Sequence, residues 1–220
     1  MEITQLNSKD LNNILSNFDV SSSNSSLERI NTGYINDSFY VNCNGKRKYV
    51  LQKVNTNVFK NVKAIKNNII QSINKLDNID YHKIKFINTK VGDIFYSSNK
   101  QHWRLMEYVN GSYTKDNAKN KNDAYEAGKI LGLFHILLQD EDLSQYHDTL
   151  ENFHNLPHRI KEFESALEIS NNDLHIECKE EIDYCKRMFN RLIIFYNSDL
   201  PNRICHNDSK LNNILFNSSN

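Results

Sequence analysis

Arg203-Ile204-Cys205-His206-Asn207-Asp208-Ser209-Lys210-Leu211-Asn212-Asn213-Ile214-Leu215-Phe216 is the stretch on which the reading of this chain turns. Ile204 and Cys205 form an apolar entry, and Ile214 to Phe216 form a strand-like exit. Between them a polar loop places His206, Asp208 and Asn213 in the spacing His-x-Asp-x-x-x-x-Asn. A carboxylate in such a loop can accept a proton. An amide five residues on can turn back and offer an oxygen to a hard cation. The chain is rich in asparagine, so the same three residues can also fall at these positions without forming a site.

The spacing matches the loop H-R-D-x-x-x-x-N that transfers phosphoryl groups in kinases, with Asn207 in place of the arginine. In that chemistry Asp208 takes the proton of an acceptor hydroxyl. Asn213 holds Mg²⁺ on the nucleotide phosphates, and Lys210 sets a cation near the transferred group.

Outward from the loop, the preceding hundred residues carry helical periodicity. Pro201 closes a polar turn. Before it, Ile176 to Tyr196 reads as a helix that turns Ile182, Cys185, Phe189, Leu192 and Tyr196 inward. Leu156 to Ile169 is another, with Pro157 near its first position. Asp123 to Leu138 is a third, with Ala124, Ala127, Leu131, Phe134 and Leu138 on one face, and with Gly128 and Gly132 permitting close packing. Charges interrupt this helix, so its G-x-x-x-G is not a membrane dimer motif. The polar segment Ser112 to Asn122 marks a boundary at Gly111, with no strand expected from there to the loop.

Before Gly111 the periodicity is that of strands. Ser8 to Phe18 predicts a short helix capped by Ser8, with Leu11, Ile14, Leu15 and Phe18 on one side. Ser21 to Ser26 reads as a linker. Leu27 to Val41 predicts two strands about a turn at Gly33, and Asn44-Gly45 a hairpin into a third strand, Arg47 to Val54. Asn55 to Leu76 predicts a helix, and Lys83 to Ile87, Gly92 to Tyr96 and Gln101 to Val109 predict further strands. Antiparallel strands with Gly33 at the first turn suit a sheet that closes over a nucleotide; a plain hairpin has the same pattern. Ser38 to Leu76 contains no acidic residue. That makes a solvated basic face or a wall that attracts phosphates. The expected architecture is therefore α+β, a protein-kinase-like bilobal fold. Residues 1–111 form an N-lobe of antiparallel sheet with one helix, which binds nucleotide. Residues 112–220 form an incomplete helical C-lobe ending just after the catalytic loop.

A net charge of +0 over 220 residues gives no global attraction to nucleic acid or to a membrane surface. Cys43, Cys178, Cys185 and Cys205 form no C-x-x-C pair and read as reduced, mostly buried thiols. The first residues lack a basic segment followed by an apolar one, and no run is long enough to span a bilayer. A cytoplasmic protein is expected, with no nucleic-acid or membrane partner and with the oligomeric state open.

Several segments together resemble the aminoglycoside phosphotransferase and choline kinase superfamily, most of all its N-acetylhexosamine 1-kinase branch. They are Gly33-Tyr34-Ile35-Asn36-Asp37-Ser38-Phe39, Tyr49-Val50-Leu51-Gln52-Lys53-Val54-Asn55 with Val58-Phe59-Lys60, Trp103-Arg104, Ala124-Tyr125-Glu126-Ala127-Gly128, Phe153-His154-Asn155-Leu156-Pro157-His158-Arg159, and the loop from His206 to Asn213. The resemblance implies ATP-dependent phosphorylation of a sugar hydroxyl, in that branch the anomeric hydroxyl of an amino sugar, with ATP and Mg²⁺ as cofactors. It implies Asp208 as catalytic base with Lys210 beside it, and Asn213 as a Mg²⁺ ligand. It implies Met106 as gatekeeper and backbone contacts from Glu107 and Val109 to adenine, with Gly33, Gln52 and Lys53 on the phosphate side.

The chain departs from the kinase pattern in three places. Gln52 stands where a strand lysine is expected, and the following helix has no glutamate to pair with it. Lys53, its neighbour, points to the opposite face of a regular strand. Asn207 replaces the arginine. No aspartate follows Asn213, so the second metal carboxylate is missing and an N-terminal piece of a longer kinase is expected. Choline, ethanolamine, homoserine or an aminoglycoside are alternative acceptors, and a nucleotide-binding regulator without catalysis is the other class.

Overall fold

The structure is a computed structural model, and it describes residues 6–21, 24–31, 33 and 35–217. Two expected features fall partly outside these residues: the Ser21 to Ser26 linker, through Ser22 and Ser23, and the Gly33 turn, through Thr32 and Tyr34.

The chain forms two compact units, Met1–Thr149 with Arg203–Asn220 and Leu150–Asn202. The first opens with helix α1, Ser8–Leu15. Asn7, not Ser8, is its cap: the Asn7 side chain accepts from Asp10 N–H, and Asp10 returns the bond to Asn7 N–H. This reciprocal pair satisfies two amides the helix leaves open. Strands β1 (Ser25–Ile30), β2 (Asp37–Cys43), β3 (Lys46–Lys53), β4 (Phe86–Ile87), β5 (Tyr96–Ser98) and β6 (Gln101–Glu107) form one antiparallel sheet in the order β1-β2-β3-β6-β4. β5 pairs with the first half of β6.

Alternation along the strands divides the sheet into two faces. One face carries Phe39, Val41, Leu51, Trp103 and Leu105. These pack on Leu11, Ile14, Leu15 and Phe18 of the α1 segment, and all nine are buried. This is the main core, and the helical spacing of the four α1-segment residues is what brings them to it. The other face carries Ser38, Tyr40, Val50, Gln52, Arg104 and Met106, mostly half-buried.

Helix α2 is Val62–Ile73, shorter than the expected Asn55 to Leu76. Asn61 caps it by accepting from Ala64 N–H. Residues 55–61 do other work: Asn55 N–H donates to Asn36 Oδ1 at 2.9 Å, and Asn55 Nδ2 donates to Ile35 C=O at 3.0 Å. The end of β3 is thereby latched to the loop between β1 and β2.

β7 (Ser112–Tyr113) follows β6, where no strand was expected, and pairs antiparallel with β8 (Phe216–Asn217) beyond the His206–Asn213 loop. Two residues are too few for alternation to be read. Helix α3, Lys121–Leu137, belongs to this first unit. Ala127 and Leu138 are buried, while Ala124 is exposed. A Cβ added at Gly128 or Gly132 would meet nothing within 4 Å, so neither glycine serves close packing among the described residues. The second unit consists of α4 (Leu156–Ile169), α5 (Asn172–Glu177) and α6 (Lys179–Tyr196), with Phe163 and Phe189 edge to face at 5.2 Å. None of the four cysteines is fully buried, against expectation. The lobe boundary at Gly111 stands as a proposal.

Candidate active site

The His206–Asn213 loop is entered through Ile204, whose carbonyl accepts from His135 Nδ1 on α3 at 3.1 Å. His206 lies edge-on to Phe134, also on α3, at 6.2 Å between centroids. Asn207 then takes φ +63, a left-handed conformation that asparagine adopts more readily than most residues. After this turn Asp208 N–H points back to His206 Nδ1 at 3.4 Å.

Asn213 closes the loop. A single 3₁₀ turn, Leu211–Asn213, returns it to Asp208. Its Nδ2 donates to Asp208 Oδ2 at 2.7 Å and to Asp208 C=O at 2.8 Å. Lys210 Nζ lies 3.8 Å from the same Oδ2, and both side chains are about half exposed. Asn212 Nδ2 donates to Asp116 Oδ1 at 3.2 Å, which ties the loop to the segment before α3. Asn212 Oδ1 is buried without a donor among the described residues, and nothing in the structure accounts for it.

The loop exit is held by the β7–β8 ribbon and by Lys115. Lys115 Nζ sits 4.6 Å from the Phe216 ring centroid and 2.6 Å from Asp123 Oδ1. Asp123 is buried and also accepts from Lys119 N–H at 2.9 Å. The Lys115 ammonium holds the Asp123 carboxyl below its ordinary value, with the Lys119 amide acting in the same direction.

A cleft of about 410 Å³ joins the end of the sheet to this loop. Its lining includes Val109, Asn110 and Ser112 on one side and Phe134, His206, Asn213 and Leu215 on the other. Val109 C=O accepts from Ser112 N–H and Oγ, but among the described residues Val109 N–H has no partner. A half-buried amide left open beside an apolar cleft suits a flat heteroaromatic acceptor.

The other expected site residues are placed as follows. Met106 lies with Val50 and Phe86 on the face away from α1. Glu107 binds Lys85, through its carboxylate at 2.6 Å and through its N–H to Lys85 C=O at 2.9 Å. Gln52 bonds to Ser38 and Arg104 on that same face, whereas Lys53 pairs with Trp103 on the other, its Nζ 5.8 Å from the indole centroid. A Cβ at Gly33 would meet Asn36 C=O at 3.8 Å, an ordinary contact. Arg104, to which the sequence assigned no role, stands two before Met106 and so shares its face.

Asp208 and Asn213 supply hard oxygen donors five residues apart. With its Nδ2 engaged, Asn213 has Oδ1 to offer a cation. A single amide oxygen fits an ion such as Mg²⁺ that takes its remaining ligands from phosphate and water. No group of three His, Cys, Asp or Glu side chains suited to a metal occurs among the described residues. No helix among them is long and apolar enough to cross a membrane.

The profile of the APH family, described as "Phosphotransferase enzyme family", matches residues 26–220. Among solved structures the chain is similar to spectinomycin phosphotransferase, APH(9)-Ia, crystallised with ADP and spectinomycin. The TM-score is 0.68 at 11% identity, over 97% of this chain and 66% of that one. The match shows that the fold is kinase-like, and that the chain spans about 66% of that protein's length.

Proposed function

The chain belongs to the APH phosphotransferase enzyme family, and on that premise we propose that it is the nucleotide-binding and catalytic-loop part of an ATP-dependent small-molecule kinase acting on a sugar hydroxyl, the anomeric hydroxyl of an N-acetylhexosamine. The observation that carries the kinase reading is the closure of Asn213 onto Asp208, with Lys210 beside the same carboxylate. The sequence resemblance supports the amino-sugar acceptor. A cytoplasmic location, where ATP is supplied, belongs to the same reading.

In this reading the cleft takes adenine at Val109, and Asp208 orients the acceptor hydroxyl and receives its proton. The hydroxyl oxygen bonds to the γ-phosphorus as the bond from that phosphorus to the ADP oxygen breaks. Asn213 Oδ1 would hold Mg²⁺, which when bound offsets the charge of the phosphates. Lys210 would place a second positive charge near the same group. Positioning and electrostatics are the main demands of phosphoryl transfer, and the closure of Asn213 on Asp208 with Lys210 alongside supports this reading.

The test is product formation with ATP and Mg²⁺ across GlcNAc, GalNAc, choline, ethanolamine, homoserine and an aminoglycoside, together with ADP binding by calorimetry. Sugar 1-phosphate from the amino sugars is the expected product. Turnover confined to another acceptor would overturn the amino-sugar assignment and leave the kinase reading standing. ADP binding without turnover of any acceptor would favour a regulator, and no binding of nucleotide would end the kinase reading.

A further inference from the structure

Kinases of this general design place a lysine on the third strand against the nucleotide phosphates. Here that position is Gln52, a neutral side chain. Directly across the sheet, in register with Gln52, β6 carries Arg104. Gln52 Oε1 accepts from Arg104 Nε at 2.9 Å and from Arg104 Nη2 at 2.5 Å. Gln52 Nε2 in turn donates to Ser38 Oγ at 2.8 Å, and Ser38 is buried on β2. The three residues form one cross-strand row, Ser38–Gln52–Arg104.

We propose that Arg104 is the cation that binds the nucleotide phosphates in this chain, and that Gln52 is its positioning residue. The assignment rests on the kinase reading above. Four observations support it. Arg104 shares its face with Met106 and Val50, the face away from the α1 core, and Met106 leads along the strand to the open Val109 amide. Its guanidinium has no carboxylate partner among the described residues; only a neutral amide oxygen and the Phe86 ring, 5.8 Å away, attend it. Gln52 occupies the Nε and Nη2 side, so Nη1 is left to meet an anion. Burial pushes the Arg104 pKa down to about 10, so the group still carries its charge at neutral pH.

Charge chemistry explains why the row has this composition. A half-buried guanidinium without a counter-anion is costly, and an arriving phosphate removes that cost. Arginine presents a planar fork that matches two phosphate oxygens. A glutamate in place of Gln52 would satisfy the guanidinium internally and compete with the ligand. A neutral amide orients it without neutralising it. The combination of Gln52 and Arg104 thus restores, from the neighbouring strand, the charge that the third strand lacks.

Binding separates this role from a purely structural one. ADP and adenosine are titrated calorimetrically into the parent chain, Arg104→Met and Gln52→Glu, with melting temperatures recorded for each. Arg104→Met is expected to lose roughly 10- to 100-fold in ADP affinity, the worth of a charge-assisted bond, with adenosine affinity unchanged. Gln52→Glu is expected to weaken ADP in the same direction while raising the melting temperature, because Arg104 then has an internal partner. Should Arg104→Met fail to fold, Gln52→Glu carries the test alone. ADP affinity undiminished in a folded variant, or lost equally for ADP and adenosine, overturns the assignment. A parent chain that binds neither ADP nor adenosine overturns the kinase reading and this assignment with it.

Discussion

Asn213 donates one amide group to two oxygens of Asp208, the carboxylate Oδ2 at 2.7 Å and the backbone carbonyl at 2.8 Å. Residues five apart in the chain are thus locked at contact distance. The bond to the backbone sets the loop, and the bond to the side chain sets the rotation of the carboxylate.

Asp208→Asn preserves an oxygen to accept from Asn213 but removes the base. In the kinase reading kcat should fall roughly 10²- to 10⁴-fold, with little change in the KM for ATP. Steady-state kinetics of phosphorylated product resolve the two. Undiminished kcat would remove the catalytic role given to this loop.

Asn213→Ala takes away both donors to Asp208 and the oxygen offered to a cation. Its signature should differ from that of Asp208→Asn: the Mg²⁺ concentration needed for half-maximal rate should rise along with the loss of rate. A magnesium titration at saturating ATP measures this. An unchanged titration curve would speak against Asn213 as a ligand.

Among the described residues the Val109 N–H at the cleft has no partner. Hydrogen exchange with and without ADP should show that amide slowed by the nucleotide. Protection elsewhere but not in the segment from Met106 to Val109 would move adenine out of this position.

Leu51 is 0% exposed at the centre of the sheet, against the α1 core. Leu51→Ala should lower stability by about 2–5 kcal/mol, the cost of lost burial and a residual cavity. Urea unfolding followed by circular dichroism gives the value. An effect within experimental error would mean that α1 and the sheet do not form a shared core.

Asp123 gives the fold an acid limit. Lys115 and the Lys119 amide hold its pKa below 3.8 when folded. A depressed carboxylate stabilises the native state above the unfolded pKa, and that contribution is lost as pH falls from about 3.8 through the lower folded value. Thermal melts of the parent chain should therefore fall in that window, and Asp123→Asn should be less stable at pH 7 with a flatter acid limb. Parallel acid limbs in the two proteins would exclude Asp123 as the source.

The regular parts of the fold were legible because their signals are local. Strand alternation set the sheet, and Leu11, Ile14, Leu15 and Phe18 announced the helix that covers it. The loop spacing placed Asp208 and Asn213 together before any coordinate did. Features that depend on a distant partner were illegible. Asn55 reads as a helical residue, yet its N–H donates to Asn36 and its side chain to Ile35 across the sheet end, so α2 begins later. Asn7 displaced Ser8 as the cap because Asp10 lies three residues beyond Asn7 and can return the bond. Arg104 is illegible for the same reason: its partner Gln52 lies on the neighbouring strand. Its position two before Met106 was the signal that could have found it.

The β7–β8 ribbon has a consequence for the order of assembly. Ser112 and Asn217 pair across roughly a hundred residues of intervening chain, a large loop to close. The hairpins of β1 to β3 and the helices of Leu150–Asn202 need only near neighbours in sequence. Contacts of long sequence separation form slowly. Refolding should therefore give a sheet with native cover from α1 before the His206–Asn213 loop is docked, and in the kinase reading nucleotide binding should return later than the secondary structure.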